Sequence, residues 1–454
     1  MMRAAFALAC AGYFLAGCGM GPPAPAEPPT DLSLQTRAIS SQALFGPPRP
    51  FAPARSNAQI AQDILELGFR LESGREIPQF SRFDGPVTLS LQGQIPPLGV
   101  IETDRLITRL QREAGLDIRR VPEQGQIVVE FVPRATLRRV VPDAACFVLP
   151  NVASWDAFRA DPRAPALDWT RIARRTRALV IAPADSTVQD MRDCLHEEIA
   201  QALGPLNDLF RIGETVWNDD NLQTVLTGFD MLVLRVWNDP ALQPGMTRAQ
   251  VAERLPALLA RHNPGGASAA LPLDRVPTPR AWTEAIESAL GGRTSRASFR
   301  AAQRALAIAL EQGWKDERLA FSLFLSARFA PREDGAQALD AMLLAARIYN
   351  DRPGTEAHRA HIYLHLSAQA LASGQHNLVL HLTDTAMSAA RRTENGALLA
   401  SLMLLRAQSL EHQGRRDQAE NLRRDAVPFA LFGFGSERAV DSRREEIAAL
   451  AQRN

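Results

Sequence analysis

Lysine is all but missing from this chain: Lys315 stands alone against fifty arginines, in a Lys+Arg total of 51. The arginines are scattered rather than striped, and 50 acidic residues leave a net charge of +1. Arginine in place of lysine at this scale reads as the coding bias of a GC-rich genome. A partner such as nucleic acid needs a basic face that gathers phosphates, and no such face is laid out here. After the first seventeen residues no apolar run approaches the roughly 20 residues that a membrane-spanning helix needs. Glycine loops that cradle phosphate are absent, since Gly291-Gly292-Arg293 has no strand before it, and serine-nucleophile signatures are absent too. Cysteine is scarce, with four in all: Cys10, Cys18, Cys146 and Cys194.

What is present begins at the start of the chain. Arg3 is the only charge before an apolar run from Ala4 to Ala16, which closes in Leu15-Ala16-Gly17-Cys18. That is a short charged region, an apolar core of about a dozen residues and a small-residue cleavage site. The Leu-Ala-Gly-Cys order resembles the lipobox of bacterial lipoproteins. The resemblance implies a signal peptide over 1–17, cleavage before Cys18 and acylation of that cysteine, enough for stable anchoring once more than one chain is attached. Gly19 in place of Asp fits sorting to the outer membrane in such lipoproteins. The expected location is therefore the outer membrane, on its periplasmic face or the cell surface.

An exported chain meets an oxidising compartment. Cys10 leaves with the leader and Cys18 carries lipid, so Cys146 and Cys194 are the remaining pair. A bridge would close a loop of roughly 50 residues, which in the chain-entropy model is worth about 4 kcal/mol. Two buried free thiols are the alternative.

Residues 18–57 are rich in proline and hold no sustained period, so they read as an extended tether. Residues 58–263 are mixed. Val87, Leu89 and Leu91 alternate with polar residues as a half-buried strand does. Apolar positions from Ile101 to Ala114 have helical spacing, and 126–132 and 178–182 read as strands. Val188 to Leu203 reads as a helix stopped by Gly204-Pro205. After a Pro- and Gly-rich linker at 264–280, residues 281–454 read as helices only. There Ala407, Leu410, Gly414 and Ala419 have the small-residue spacing of a tetratricopeptide repeat. Ser367, Ala370, Gly374 and Val379 repeat it 40 residues earlier. An irregular helical bundle is the other reading of that region.

The helix at 188–203 holds the one candidate for chemistry, Glu197-Glu198-Ile-Ala-Gln201-Ala-Leu-Gly204-Pro-Leu-Asn207-Asp208. The spacing resembles the His-Glu-x-x-His-x-x-Gly-x-x-His-Asp of metzincin metallopeptidases. In that motif two histidines four apart leave one helix face toward zinc, and the Glu polarises the metal-bound water. Here Glu198, Gly204 and Asp208 keep their places, while Glu197, Gln201 and Asn207 replace the three histidines. His196, one residue out of frame, does not restore the motif. Downstream, Leu226-Thr227-x-x-Asp230 with Leu234 and Val236-Trp237 resembles the last metzincin helix, and Trp217 falls where the Met-turn methionine would. The Cys194-x-x-Glu197-Glu198-x-x-Gln201-x-Leu203-Gly204-x-x-Asn207-Asp208 pattern is similar to a Gram-negative secreted family catalogued as domain of unknown function 2927, over about residues 75–250.

One carboxylate and two carboxamides form an oxygen site, whereas zinc prefers nitrogen and sulfur, and Ca²⁺ or Mg²⁺ would want six or more ligands. The motif is thus expected to be a degenerate, non-catalytic one whose polar residues hydrogen-bond to each other, with no metal and no cofactor. A bland alternative makes Glu197 and Glu198 the solvated side of an amphipathic helix. His361 and His365, four apart, read as ordinary groove or surface residues. The fold class expected is an α+β, zincin-like domain followed by an all-α, helical-repeat domain. The function expected is a membrane-anchored scaffold that binds an unidentified envelope protein or peptide through its helical groove. The alternative is an active metallopeptidase with atypical ligands.

Overall fold

The computed structural model describes residues 39–47, 51–142, 144–218, 220, 222–267, 278–292 and 294–452. Cys18, the leader and most of the proline-rich segment lie outside them. Two compact units emerge, one of residues 49–185 and 191–280, the other of residues 281–454 with a short N-terminal stretch and residues 186–190.

The N-terminal stretch of the second unit carries α1 (Ser41–Phe45), capped by the Ser40 hydroxyl. Phe45 packs on Phe429 and Phe432, so this part of the segment is docked rather than extended. The first unit opens with α2 (Asn57–Gly68), whose Ser56 and Gln59 form a reciprocal capping box that sequence periodicity did not signal. There follow β1 (Arg82–Phe83), β2 (Val87–Gly93), α3 (Gly99–Glu113), β3 (Ile118–Arg120), β4 (Ile127–Val132), α4 (Arg134–Val140), β5 (Phe147–Pro150) and α5 (Trp155–Ala160). Then come β6 (Arg174–Arg175), β7 (Ala178–Pro183), α6 (Val188–Leu203), α7 (Gly228–Trp237) and α8 (Arg248–His262).

Five strands form one sheet in the order β3-β2-β4-β7-β5, parallel except for the antiparallel edge strand β5. Every residue of β7 is buried, as a continuous apolar run in a sheet covered on both faces should be. β2, with Val87, Leu89 and Ser90 buried and Leu91 half-buried, lies between β3 and β4. The short β1 and β6 pair separately as a two-stranded parallel ribbon. The architecture is α/β with a mixed sheet, followed by a region of helices, in line with the expected α+β then all-α class.

Cys146, just ahead of β5, and Cys194 on α6 are joined by a disulfide across 48 positions. It fastens the sheet's one antiparallel edge to the helix that holds the candidate motif.

The second unit continues through α9 (Arg280–Leu290), α10 (Ser295–Glu311), α11 (Glu317–Phe329), α12 (Gly335–Asn350), α13 (Glu356–Ala372), α14 (His376–Arg392), α15 (Gly396–His412), α16 (Arg416–Phe434) and α17 (Glu437–Ala451). Consecutive helices α11 to α16 pack against one another in chain order. Gly374 and Gly414 turn the α13–α14 and α15–α16 corners at φ 67° and 77°, a region where only glycine is free of strain. Ser367, Ala370 and Val379 are buried beside one corner, and Ala407, Leu410 and Ala419 beside the other. Small side chains there let the paired helices approach closely. Among the described residues no helix is long and apolar enough to cross a membrane.

Removing the bridge tests its weight. A Cys146→Ser, Cys194→Ser double variant should lose about 4 kcal/mol or less, the chain-entropy value for a loop of this length. Denaturant melts of the two proteins would measure it. Unchanged midpoints in oxidised protein would show that the bridge adds nothing.

Candidate functional site

Helix α6 is polar by composition but buried on nearly every side. Arg192, His196, Glu198 and Gln201 are inaccessible alongside Ile199, Ala200, Ala202 and Leu203, while Glu197 is half-buried. Glu198 has no exposed surface at all, so the motif is not the solvated side of an amphipathic helix. Buried polar groups must be satisfied, and the bonds they make define what the site is.

The end of α6 is held by Arg175, itself almost wholly buried on β6. Its Nη1 donates to the carbonyls of Gln201 and Ala202, each at 2.7 Å, and its Nη2 donates to that of Gly204 at 2.6 Å. Nε reaches Ser81 Oγ at 3.0 Å, and the guanidinium lies 4.9 Å from the Trp169 ring centroid. Helix C-termini carry unpaired carbonyls and partial negative charge, so a planar, forked cation suits them well. Burial pushes the guanidinium down to about 9, which leaves it charged at neutral pH.

Across the same ribbon, Arg82 on β1 holds the turn that follows α7. Its Nη1 donates to the carbonyls of Asp239 and Leu242, each at 2.9 Å, with Trp237 O at 3.4 Å. Burial lowers its pKa, against the raising influence of Asp84 and Asp239. No periodicity singles out these arginines. Their only sequence signal is that Arg174-Arg175 directly precedes an apolar strand.

Gly204 does end α6, but not in the left-handed conformation that its position suggests. The reason is packing: a Cβ there would meet Leu234 Cδ2 at 3.0 Å and crowd Trp237, both on α7. Pro205 completes the stop, because the residue before proline is driven out of the helical region.

Beyond Pro205 the chain turns toward α2. Leu206 N bonds Leu67 O at 3.2 Å, and the Asn207 amide donates to Glu66 O at 3.1 Å. Arg211 pairs with Asp63 at 2.6 Å and Glu66 at 2.7 Å, and Arg55 takes the other oxygen of Asp63. Those carboxylates raise the Arg211 pKa against its burial. Asn207 therefore serves as a strap to α2 rather than bonding to the other motif residues. Gln201 contributes its main-chain carbonyl to Arg175, and its side-chain nitrogen has no hydrogen-bond partner among the described residues. Half-buried Asp208 follows the strap.

His196 accepts from Leu226 N at 3.0 Å through Nδ1, and Arg109 donates to Leu226 O at 2.9 Å. Both polar groups of that residue are thereby gripped. Burial first, then Arg109, Arg192 and Arg105, hold the imidazole well below its usual pKa, so it stays neutral with its proton on Nε2.

One residue on, Thr227 caps α7 in a reciprocal box with Asp230. Buried Asp230 also accepts from the Thr215 hydroxyl at 2.5 Å and Val216 N at 3.3 Å. Burial pushes this carboxyl up to about 7, opposed by those hydrogen bonds. Trp217, where the Met-turn residue would fall, is wholly buried; its carbonyl receives Leu209 N at 2.9 Å.

No three His, Cys, Asp or Glu side chains among the described residues gather closely enough for a metal ion. The donor set does not fit zinc. Glu197 is the one carboxylate among the three ligand positions, Gln201 offers only a neutral amide, and the Asn207 amide donates to Glu66 O on α2. No chemical step through a metal follows. What the arrangement accomplishes is the locking of three loops onto α6 and α7.

Two variants probe that lock. Arg175→Met should leave three carbonyls bare in a dry interior and destabilise the first unit by about 3 kcal/mol, and Arg175→Lys should recover little because an ammonium lacks the fork. Urea melts of both variants measure this, and a melt like wild type would refute the capping role. Asp230 sets a slope with pH. Between about 4 and 7 the folded chain keeps a proton that the unfolded chain has released, so stability falls as pH rises through that window and levels above 7. Asp230→Asn should flatten this component when melts at pH 5 and pH 8 are compared.

No curated protein and no solved structure matches the chain. Residues 57–257, the span of the sheet, α6 and α7, match the model of a family described as a protein of unknown function, DUF2927.

Proposed function

We propose that this protein is an exported, lipid-anchored envelope scaffold that binds a peptide or protein through its helical unit. On this reading the first unit is a zincin-like domain that no longer holds metal. The observation that carries the scaffold reading is the pair of hairpins α13–α14 and α15–α16, with equivalent small buried residues and left-handed glycines 40 residues apart. Stacked helical hairpins of the tetratricopeptide kind build concave faces suited to extended or helical ligands. Support for the anchor is the Leu15-Ala16-Gly17-Cys18 order together with a bridged Cys146–Cys194, which fits an oxidising compartment.

Support for a zincin-like ancestry is the order of parts: a mixed sheet with an antiparallel edge, then α6 carrying Glu198, the turn at Gly204, the buried Trp217 loop and α7. Against catalysis stand the ligand positions themselves, one carboxylate and two carboxamides, with the Asn207 amide donating to Glu66 O.

Pull-downs from envelope extracts with chains containing or lacking 281–454 test the scaffold. Partners should be captured only when the helical unit is present, and identical captures would overturn the reading. Cys18→Ser should abolish acyl labelling and release the protein from membranes. Metal analysis of protein purified without added metal should return no stoichiometric zinc. Zinc at one equivalent, with peptide cleavage lost in Glu198→Gln, would instead establish a peptidase.

A further inference from the structure

In the first unit a cavity of about 330 Å³ opens between the end of α3, α7, the end of α8 and the segment at 51–53. That volume lies within the range of small-molecule sites, roughly 300–1,000 Å³. None of the motif residues at 197–208 borders it.

Its walls are fixed by bonds between distant segments. Ala54 N donates to both carboxylate oxygens of Glu214 at 3.0 Å, and the Thr227 hydroxyl donates to the carbonyl of the same residue at 2.7 Å. The segment at 51–53 is thereby stitched to the start of α7. The approach is so close that a Cβ on Gly228 would lie 1.5 Å from Phe51 O, so only glycine permits it. At the end of α8, Asn263 and Asn57 exchange hydrogen bonds. The Asn263 amide donates to Asn57 Oδ1 at 2.9 Å, and the Asn57 amide donates to Asn263 O at 3.0 Å.

The charges around the cavity do not balance. Glu113 is the acid on its lining, and Arg109, one turn back on α3, holds both carboxylate oxygens at 2.8 Å. His262 is turned to Asp239 at 2.8 Å. Two lining arginines remain. Arg235 gives one donor to the carbonyl of Glu113, and Arg112 is exposed. Among the described residues neither pairs with a carboxylate. A guanidinium offers a forked, weakly hydrated set of donors that matches a carboxylate or a phosphate. The rest of the lining is largely apolar. Met231 and Leu232 are buried against it, Pro53 is half-buried, and Phe51 keeps 57% of its surface exposed.

We propose that this cavity binds a small amphiphilic anion. Its carboxylate or phosphate is taken by Arg112 and Arg235, and its apolar body rests against Met231, Leu232 and Phe51. Charge-assisted hydrogen bonds fix the head, and burial of the body supplies the rest of the affinity. Every residue involved lies within 49–280, so the proposal does not depend on the scaffold reading of the helical unit.

The probes are octanoate, octyl phosphate, neutral octanol and inorganic phosphate, each titrated calorimetrically into the full chain. At least one of the two amphiphiles should saturate at one site per chain, and the tighter of them identifies the headgroup. Octanol and inorganic phosphate should each bind at least tenfold more weakly than that amphiphile. Arg112→Gln and Phe51→Ser, both at exposed side chains, should weaken it at least fivefold with circular dichroism unchanged. Arg119→Gln, at an exposed arginine on β3 outside the lining, should bind as wild type does. No saturable binding of either amphiphile would overturn the proposal, as would undiminished binding by Arg112→Gln. Octanol or inorganic phosphate binding as tightly as the amphiphile would overturn it too, since head and body are then not read together.

Discussion

Two arginines on a two-stranded ribbon hold the chain where it leaves α6 and α7. Arg175 closes α6 through carbonyls that would otherwise be stranded in a dry interior, and Arg82 gathers the carbonyls of the turn after α7. The ribbon pairs Arg82 with Arg174 and Phe83 with Arg175, so the two capping side chains are set by one small piece of backbone geometry. Everything that follows α6 depends on this. The chain leaves the helix at Gly204 under Arg175, meets α2 through Asn207, and is gripped at Leu226 by Arg109 just before α7. A charge is admitted into the interior here because the helix dipoles and carbonyls replace the water it gives up.

The same economy of buried polar groups explains the fate of the motif. In a metallopeptidase those positions would face a cleft and converge on an ion. Here the chain after α6 is drawn to α2 by Asn207 and by Arg211, whose partners Asp63 and Glu66 lie on that helix. His196, next to the motif, is turned to the backbone of Leu226 and kept neutral by burial and three arginines. Asp230, whose carboxyl burial pushes up to about 7, accepts from Thr215, Val216 and Thr227. In the first unit these polar residues tie loops together.

In the helical unit the governing constraint is close approach. Glycine at the corners and alanine or serine beside them let α13 to α16 pack tightly, and the interior is correspondingly rich in alanine and leucine. α17 departs from that rule by carrying an arginine into its buried stripe, over a histidine surrounded by other basic groups.

Local patterning determined a good deal on its own. The run Ala178–Ala182 read as a strand, the 188–203 span has the helical limits found for α6, and a Cys146–Cys194 bridge was one of the two outcomes the sequence offered. The repeated small residues at 367–379 and 407–419 likewise marked two hairpins, because turn and contact chemistry are short-range. Tertiary structure decided the rest, since the decisive contacts join residues far apart in the chain. Asn207 meets Glu66 across 141 positions, Arg82 meets Asp239 across 157, and Arg109 meets Leu226 across 117. Gly204 shows the limit within a single residue. Its neighbourhood marked a helix stop, but whether glycine served backbone conformation or packing depended on α7, thirty residues away. A hydrogen bond or a missing Cβ carries no trace of its partner in the local sequence, so the motif's spacing was legible while the bonds its residues make were not.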